Sequence, residues 1–203
     1  MKLISPAIIL KKHLPEKSFD YCLDLLQRYP FKLKVKKARQ TKAGDFCTHH
    51  GNSPVITIND DLNPFLFLTT FIHEFAHHAV HLVYGNKPLA HGKEWKLAFK
   101  TFMQPLMGME IFPDDLQHAL SLHLKDPMAS SFSDASLTKI FRRYDLMQPT
   151  GTPLSQIVIG STFKIGRKIF RKGSLRRTRV LCVEIKTGRE YLVPRDMIVE
   201  TSQ

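Results

Sequence analysis

The chain has 203 residues, 43% of them hydrophobic and 24% charged, an ordinary globular balance that supports one substantial core and a small appendage. Its three cysteines, Cys22, Cys47 and Cys182, are far apart and form no CxxC pair, which excludes a disulfide framework and a cysteine zinc site and fits a reducing cytosol. The net charge of +12 is uneven: residues 157–203 hold 11 Lys+Arg against 4 Asp+Glu, so more than half of the excess lies in the tail and favours a polyanionic partner such as nucleic acid.

Leu3 to Leu10 is apolar but short and broken by Pro6, with no small-residue cleavage pattern after it. It reads as neither a signal peptide nor a membrane span, and a cytoplasmic protein is expected. From Glu16 to Tyr29, Phe19, Cys22, Leu23, Leu26 and Tyr29 recur at helical spacing and predict an amphipathic helix ending before Pro30. The period then changes to two: Phe31, Leu33 and Val35 alternate with Lys32, Lys34 and Lys36, a half-buried strand whose other face is a lysine row. That row reads as a solvated face or protected sheet edge before it reads as a polyanion track. Gly44 to Thr48 and Val55 to Asn59 predict two further strands about a Gly51–Pro54 turn, completing a small, mostly antiparallel sheet.

Asn63-Pro64 is a helix start, with an Asn cap followed by a proline at the first helical position, where no hydrogen bond is lost. The helix runs from Pro64 to Tyr84, apolar on nearly every side, and Gly85-Asn86 ends it. Ionisable groups in its middle make it a buried central helix rather than a membrane span. Inside it lies His73-Glu74-Phe75-Ala76-His77, the HExxH spacing. Histidines four apart leave one helix face and can grip one metal, while Glu74, turned by about 100°, is placed to act on water instead.

A catalytic zinc needs a third protein ligand. The metzincin spacing would require histidine where Val83 stands, so that class is excluded. After the turn, His91-Gly92-Lys93-Glu94-Trp95 opens a helix with the stripe Trp95, Ala98, Phe99, Phe102 and Met103, and His91 lies in line with that stripe, facing the central helix. Glu94, His81 and the turn histidines His49 and His50 are the rival donors. Trp95 is expected to pack beneath the site.

HExxH followed, 14 residues past its second histidine, by HGxxW in a helix-turn-helix setting resembles the SprT/Spartan-type zinc metallopeptidases, over roughly residues 15–110. The resemblance implies His73, His77 and His91 as zinc ligands and Glu74 as catalytic base. It also implies protein substrates, which in part of that family are proteins crosslinked to DNA.

Further on, Pro113–Leu124 predicts a helix, and Ser133 caps a short one through Tyr144. Pro149, Gly151 and Pro153 mark a linker. Strands around Phe163–Ile165, Thr178–Ile185 and Tyr191–Val193, with a Lys186–Arg189 hairpin turn, form a small β-rich module. Many SprT relatives carry a zinc ribbon here. The segment around Cys182 resembles a ribbon strand whose metal cysteines are lost, so a second zinc is not expected. Arg167, Lys168, Arg171, Lys172, Arg176, Arg177 and Arg179, interleaved with Phe163, Phe170 and Tyr191, suit either phosphate contact with base stacking or a basic surface over an aromatic core.

The expectation is therefore an α+β protein with a zincin-like helical core and small antiparallel sheet in residues 1–148 and a basic β-rich module in 149–203. One zinc ion, a protein substrate and nucleic acid are the expected ligands, and the oligomeric state is open. The alternative is a nucleic-acid-binding or regulatory protein with a structural zinc, a role for which Glu74 would have no use.

Overall fold

Pro6 begins the first helix of the structure, a computed structural model that describes residues 5–39, 42–48, 53–128, 134–145, 151–166 and 168–201. The turn histidines His49 and His50, the Ser133 cap, Pro149 and Arg167 lie outside the described residues. The protein is α+β, and the chain divides into two compact units, Met1–Leu146 and Met147–Gln203.

In the first unit, α1 (Pro6–His13) has proline at its start and Lys11, Lys12 and His13 in its last turn, the arrangement that suits both helix ends. It is a short surface helix that buries Ile9 and Leu10 and stacks His13 on Phe67 at 4.7 Å. The expected amphipathic helix is split: a 3-10 turn at Glu16–Ser18 precedes α2 (Phe19–Arg28).

Strands β1 (Lys32–Lys36), β2 (Gly44–Cys47) and β3 (Val55–Asn59) form one sheet in the order β1-β3-β2. The sheet is mixed rather than antiparallel, which corrects the expectation. After β1 the chain passes to the far edge as β2 and then to the centre as β3, and β3 runs antiparallel to β2 and parallel to β1. Lys32, Lys34 and Lys36 are exposed, and Leu33, Ile56 and Ile58 face the core.

The sheet and helices surround α3 (Pro64–Tyr84). Phe67, Phe71 and Phe75 are fully buried, each contributing roughly 1.5–3 kcal/mol relative to an exposed side chain. Asn63 works at both ends of its amide. Its oxygen accepts the Leu66 N–H at 2.9 Å, capping α3, and its nitrogen donates to Phe141 O at 2.9 Å and Asp145 Oδ1 at 2.7 Å. One cap residue thereby fastens Phe141 and Asp145 to the start of the central helix.

α4 (Lys93–Met107) packs on α3 through Trp95, Phe99 and Met103, and α5 (Asp114–His123) and α6 (Ala135–Phe141) complete the unit. Asp134 caps α6, accepting the Ser136 and Leu137 N–H groups at 3.1 Å each. Its other oxygen lies 3.2 Å from Nδ1 of the buried His123.

The second unit is a six-stranded antiparallel sheet built from β4 (Thr152–Pro153), β5 (Thr162–Ile165), β6 (Lys168–Arg176), β7 (Arg179–Glu184), β8 (Glu190–Pro194) and β9 (Ile198–Thr201), in the order β4-β9-β5-β6-β7-β8. Phe163 and Phe170 are buried and stacked at 5.8 Å, with Tyr191 edge-on to Phe170. The two phenylalanines are core, not a base-stacking platform. Lys172 is also buried, its ammonium donating to the carbonyls of Ser155 and Ile157, so it holds an internal turn instead of facing a phosphate. The other described basic residues of β6 and β7, Lys168, Arg171, Arg176 and Arg179, are exposed.

Candidate metal centre

The metal-ligand spacing places His73 and His77 one turn apart on α3, where their rings lie 5.1 Å apart. His91 arrives from the turn between Gly85 and Gly92, immediately before α4 rather than on it. Among the described residues these three form one group whose ligand atoms lie within 4.8 Å of one another. His91 Nε2 is 3.1 Å from His77 Nε2 and 3.3 Å from His73 Nε2.

Those spacings test the fit of a metal. Two nitrogens each about 2.0–2.1 Å from a tetrahedral zinc stand roughly 3.3 Å apart, which matches the observed separations. Hydrogen bonding satisfies the triad less well. His91 Nε2 has one proton or one lone pair and serves both neighbours only in a split bond, whereas one cation engages all three lone pairs. Of the rivals, Glu94 lies 3.8 Å from Lys93 and His81 Nδ1 lies 3.1 Å from Asn86 Oδ1, and neither belongs to the three-histidine group.

Trp95 forms the floor. Its ring centroid is 4.6 Å from that of His73, 5.4 Å from His77 and 4.7 Å from His91, and its indole N–H donates to His73 O at 3.3 Å. Phe99 stacks beneath it at 5.1 Å and 8°. This apolar floor keeps the imidazoles neutral: burial, then the neighbouring histidines, lowers His73 to about 3, and burial with His91 lowers His77 to about 4. A metal requires neutral imidazole, so the ligands are ready well below neutral pH.

Glu74 points away from the triad's floor toward β2 and is 7% exposed. Burial first, and Asp45 second, raise its carboxyl to about 8, while Arg39, Lys42 and the Phe46 backbone N–H pull the other way. A dication at the neighbouring triad would reverse that shift by favouring the carboxylate. The wall against Glu74 is Gly44. A Cβ there would stand 2.6 Å from Glu74 Oε1 and 2.7 Å from both Glu74 Cγ and Thr70 Cγ2, distances that Cβ atoms do not sustain. Gly44→Ala is therefore expected to lower stability by roughly 1–3 kcal/mol through overpacking. It should also displace the Glu74 carboxylate while leaving the three histidines able to bind metal, outcomes read from thermal unfolding and metal titration.

These shifts set the pH dependence of the metal-free protein. His73 and His77 have folded values below the ordinary 6.5, so the unfolded state takes up more protons and stability falls as pH drops below 6.5. Glu74 has a folded value of about 8 against an ordinary 4.5, so the folded state holds the extra proton and stability falls as pH rises through 4.5 to 8. Burial also lowers His13, His78 and His91, so between 4.5 and 6.5 the histidines together outweigh the one glutamate, and their opposition fades above 6.5. Thermal unfolding of the metal-free protein is expected to show a stability maximum near neutral pH, with the fall from there toward pH 8 abolished in Glu74→Gln. An alkaline fall of equal size in that variant would contradict the assignment.

Triad and glutamate open into a cleft of ≈ 870 Å³. One wall is a stripe of α3, with Leu66 and Thr70 leading to His73, Glu74 and His77; β2 and Arg39 form another, and Thr138, Phe141 and Arg142 a third. The motif reading found the metal face but not these walls. Gly44 within a strand was the one local sign of a close approach, while Arg39 and the α6 residues reach the cleft only through the tertiary fold. Compared with known protein families, with curated proteins and with solved structures, the chain finds no match. No helix among the described residues is long and apolar enough to cross a membrane.

Proposed function

We propose that this protein is a zinc-dependent endopeptidase of the SprT/Spartan type, with a zincin-like core, acting on proteins bound to nucleic acid. The convergence of three imidazole nitrogens beside a separately held buried glutamate carries this reading, because a metal site with only a structural role does not call for the carboxylate. Three imidazoles suit zinc among several divalent ions, and the neutral state of His73 and His77 suits it further.

His73, His77 and His91 would hold the ion, which when bound lowers the pKa of water and polarises a carbonyl. Glu74 takes a proton from the attacking water onto a carboxylate oxygen and passes it to the amine nitrogen as the peptide bond breaks. Trp95 and Phe99 exclude water from beneath the imidazoles and hold their rings in place. The cleft is large enough to admit an extended peptide segment across this group, with β2 on one side and α6 on the other. Exposed Lys168, Arg171, Arg176 and Arg179 on the second unit supply phosphate contacts that would bring the enzyme to its substrates.

Incubation of the zinc-loaded protein with a DNA-binding protein, with and without DNA and with and without a chelator, tests this function. Zinc-dependent cleavage that increases with DNA is expected. Cleavage that survives removal of the metal would defeat the reading, and cleavage indifferent to DNA would defeat its nucleic-acid half.

A further inference from the structure

The segment after β1 carries a guanidinium whose hydrogen bonds the chemistry above does not use. Arg39 is half-buried and lines the metal cleft. Its Nε donates to Asn59 Oδ1 at 2.8 Å and its Nη1 to Thr57 Oγ1 at 3.0 Å, while Nη2 reaches the carbonyls of Thr57 at 3.4 Å and Ala43 at 3.5 Å. Asn59, 3% exposed, answers from β3: its Nδ2 donates to Arg39 O at 3.1 Å and Lys42 O at 3.0 Å, and its backbone N–H donates to Ala43 O at 2.8 Å. The two side chains thus grip the backbone at Arg39, Lys42 and Ala43 reciprocally. All of its hydrogen-bond partners are neutral and all three guanidinium nitrogens are engaged, so that, beside the through-space pull of its charge on Glu74, the arginine serves as a rigid template rather than as half of an ion pair.

The next residue after Ala43 is Gly44, the wall on which the Glu74 carboxyl rests. A shift of Ala43 carries that wall with it. Burying Asn59 with its side-chain amide bonded at both ends makes the arrangement costly to disturb, since removing Arg39 would leave a buried amide oxygen without its donor.

We infer that Arg39, together with Asn59, is a positioning residue for the catalytic base: it fixes Ala43 and Gly44 so that the Glu74 carboxylate is held in one place beside the three histidines. The inference rests on the peptidase reading of Glu74 for its catalytic consequence, and on the clamp geometry alone for its structural one.

The test compares the full-length parent with Arg39→Ala, Arg39→Lys, Asn59→Ala and the Arg39→Ala/Asn59→Ala double variant, all zinc-loaded. Each should retain one zinc per chain, and the loss should fall on kcat, ~10–100-fold, more than on KM, as for groups that orient a metal site rather than bind its substrate. Arg39→Lys should fall with Arg39→Ala, because it keeps the charge but lacks the fork, and the double variant should be no worse than the poorer single one. Amide hydrogen exchange at residue 59, whose N–H exists in every variant, should quicken at least tenfold in both Arg39 variants. Parent-like kcat in Arg39→Ala, loss of zinc along with activity, or full recovery in Arg39→Lys would overturn the inference. A parent that binds zinc but cleaves nothing would instead overturn the peptidase reading, and unchanged exchange at residue 59 would then overturn the clamp by itself.

Discussion

Glu74→Gln is expected to keep its zinc and to lose peptide hydrolysis by ~10²–10⁴-fold, the usual contribution of a positioned general acid–base group. The substitution preserves shape against Gly44 and Thr70, where space is tightest, and removes only the ability to take a proton. It also removes a buried carboxyl that burial raises to about 8, so the metal-free variant should be no less stable than the parent near pH 8. Lost activity with retained metal and a fold no less stable than the parent's would place the defect in chemistry. Equal rates for parent and variant would remove Glu74 from the mechanism.

The second large effect is expected at His91. Its Nε2 is the atom that both α3 histidines approach, at 3.1 and 3.3 Å, so His91→Ala leaves only two ligands, both from one helix. Zinc affinity should fall by more than the ~10–100-fold that follows loss of a group merely orienting a ligand. His81→Ala and Glu94→Ala should bind zinc as the parent does, since the first contacts Asn86 and the second lies beside Lys93. Trp95, the chain's one tryptophan, touches all three imidazoles and provides the readout: its fluorescence should respond to metal in the parent, His81→Ala and Glu94→Ala, and not in His91→Ala. A full metal response in His91→Ala would pass the third position to another donor.

Much of the centre was legible because it is local. HExxH needs only a helix to bring two imidazoles together, and Asn63-Pro64 with Gly85 marked both ends of that helix. His91 was readable as a candidate, but Glu94 and His81 could be separated from it only by distances across the turn from Gly85 to Gly92. The mixed sheet was not legible. Strand periodicity shows which residues are buried, yet β1 and β3 run parallel because β2 occupies the far edge, a matter of chain path rather than of any residue. The nine-residue β6 was obscured by its own lysines and arginines, which mask a buried Phe170 and a Lys172 turned inward. Arg39 was unreadable for a related reason. Its partners Thr57 and Asn59 lie on β3, and the Glu74 it indirectly holds lies on α3.

X-ray absorption at the zinc edge of the reconstituted protein examines the centre most directly. One zinc per chain, with three imidazole nitrogens at ~2.0–2.1 Å and a single oxygen, is the predicted result. A sulfur neighbour, a carboxylate in place of the third imidazole, or less than stoichiometric zinc would contradict it.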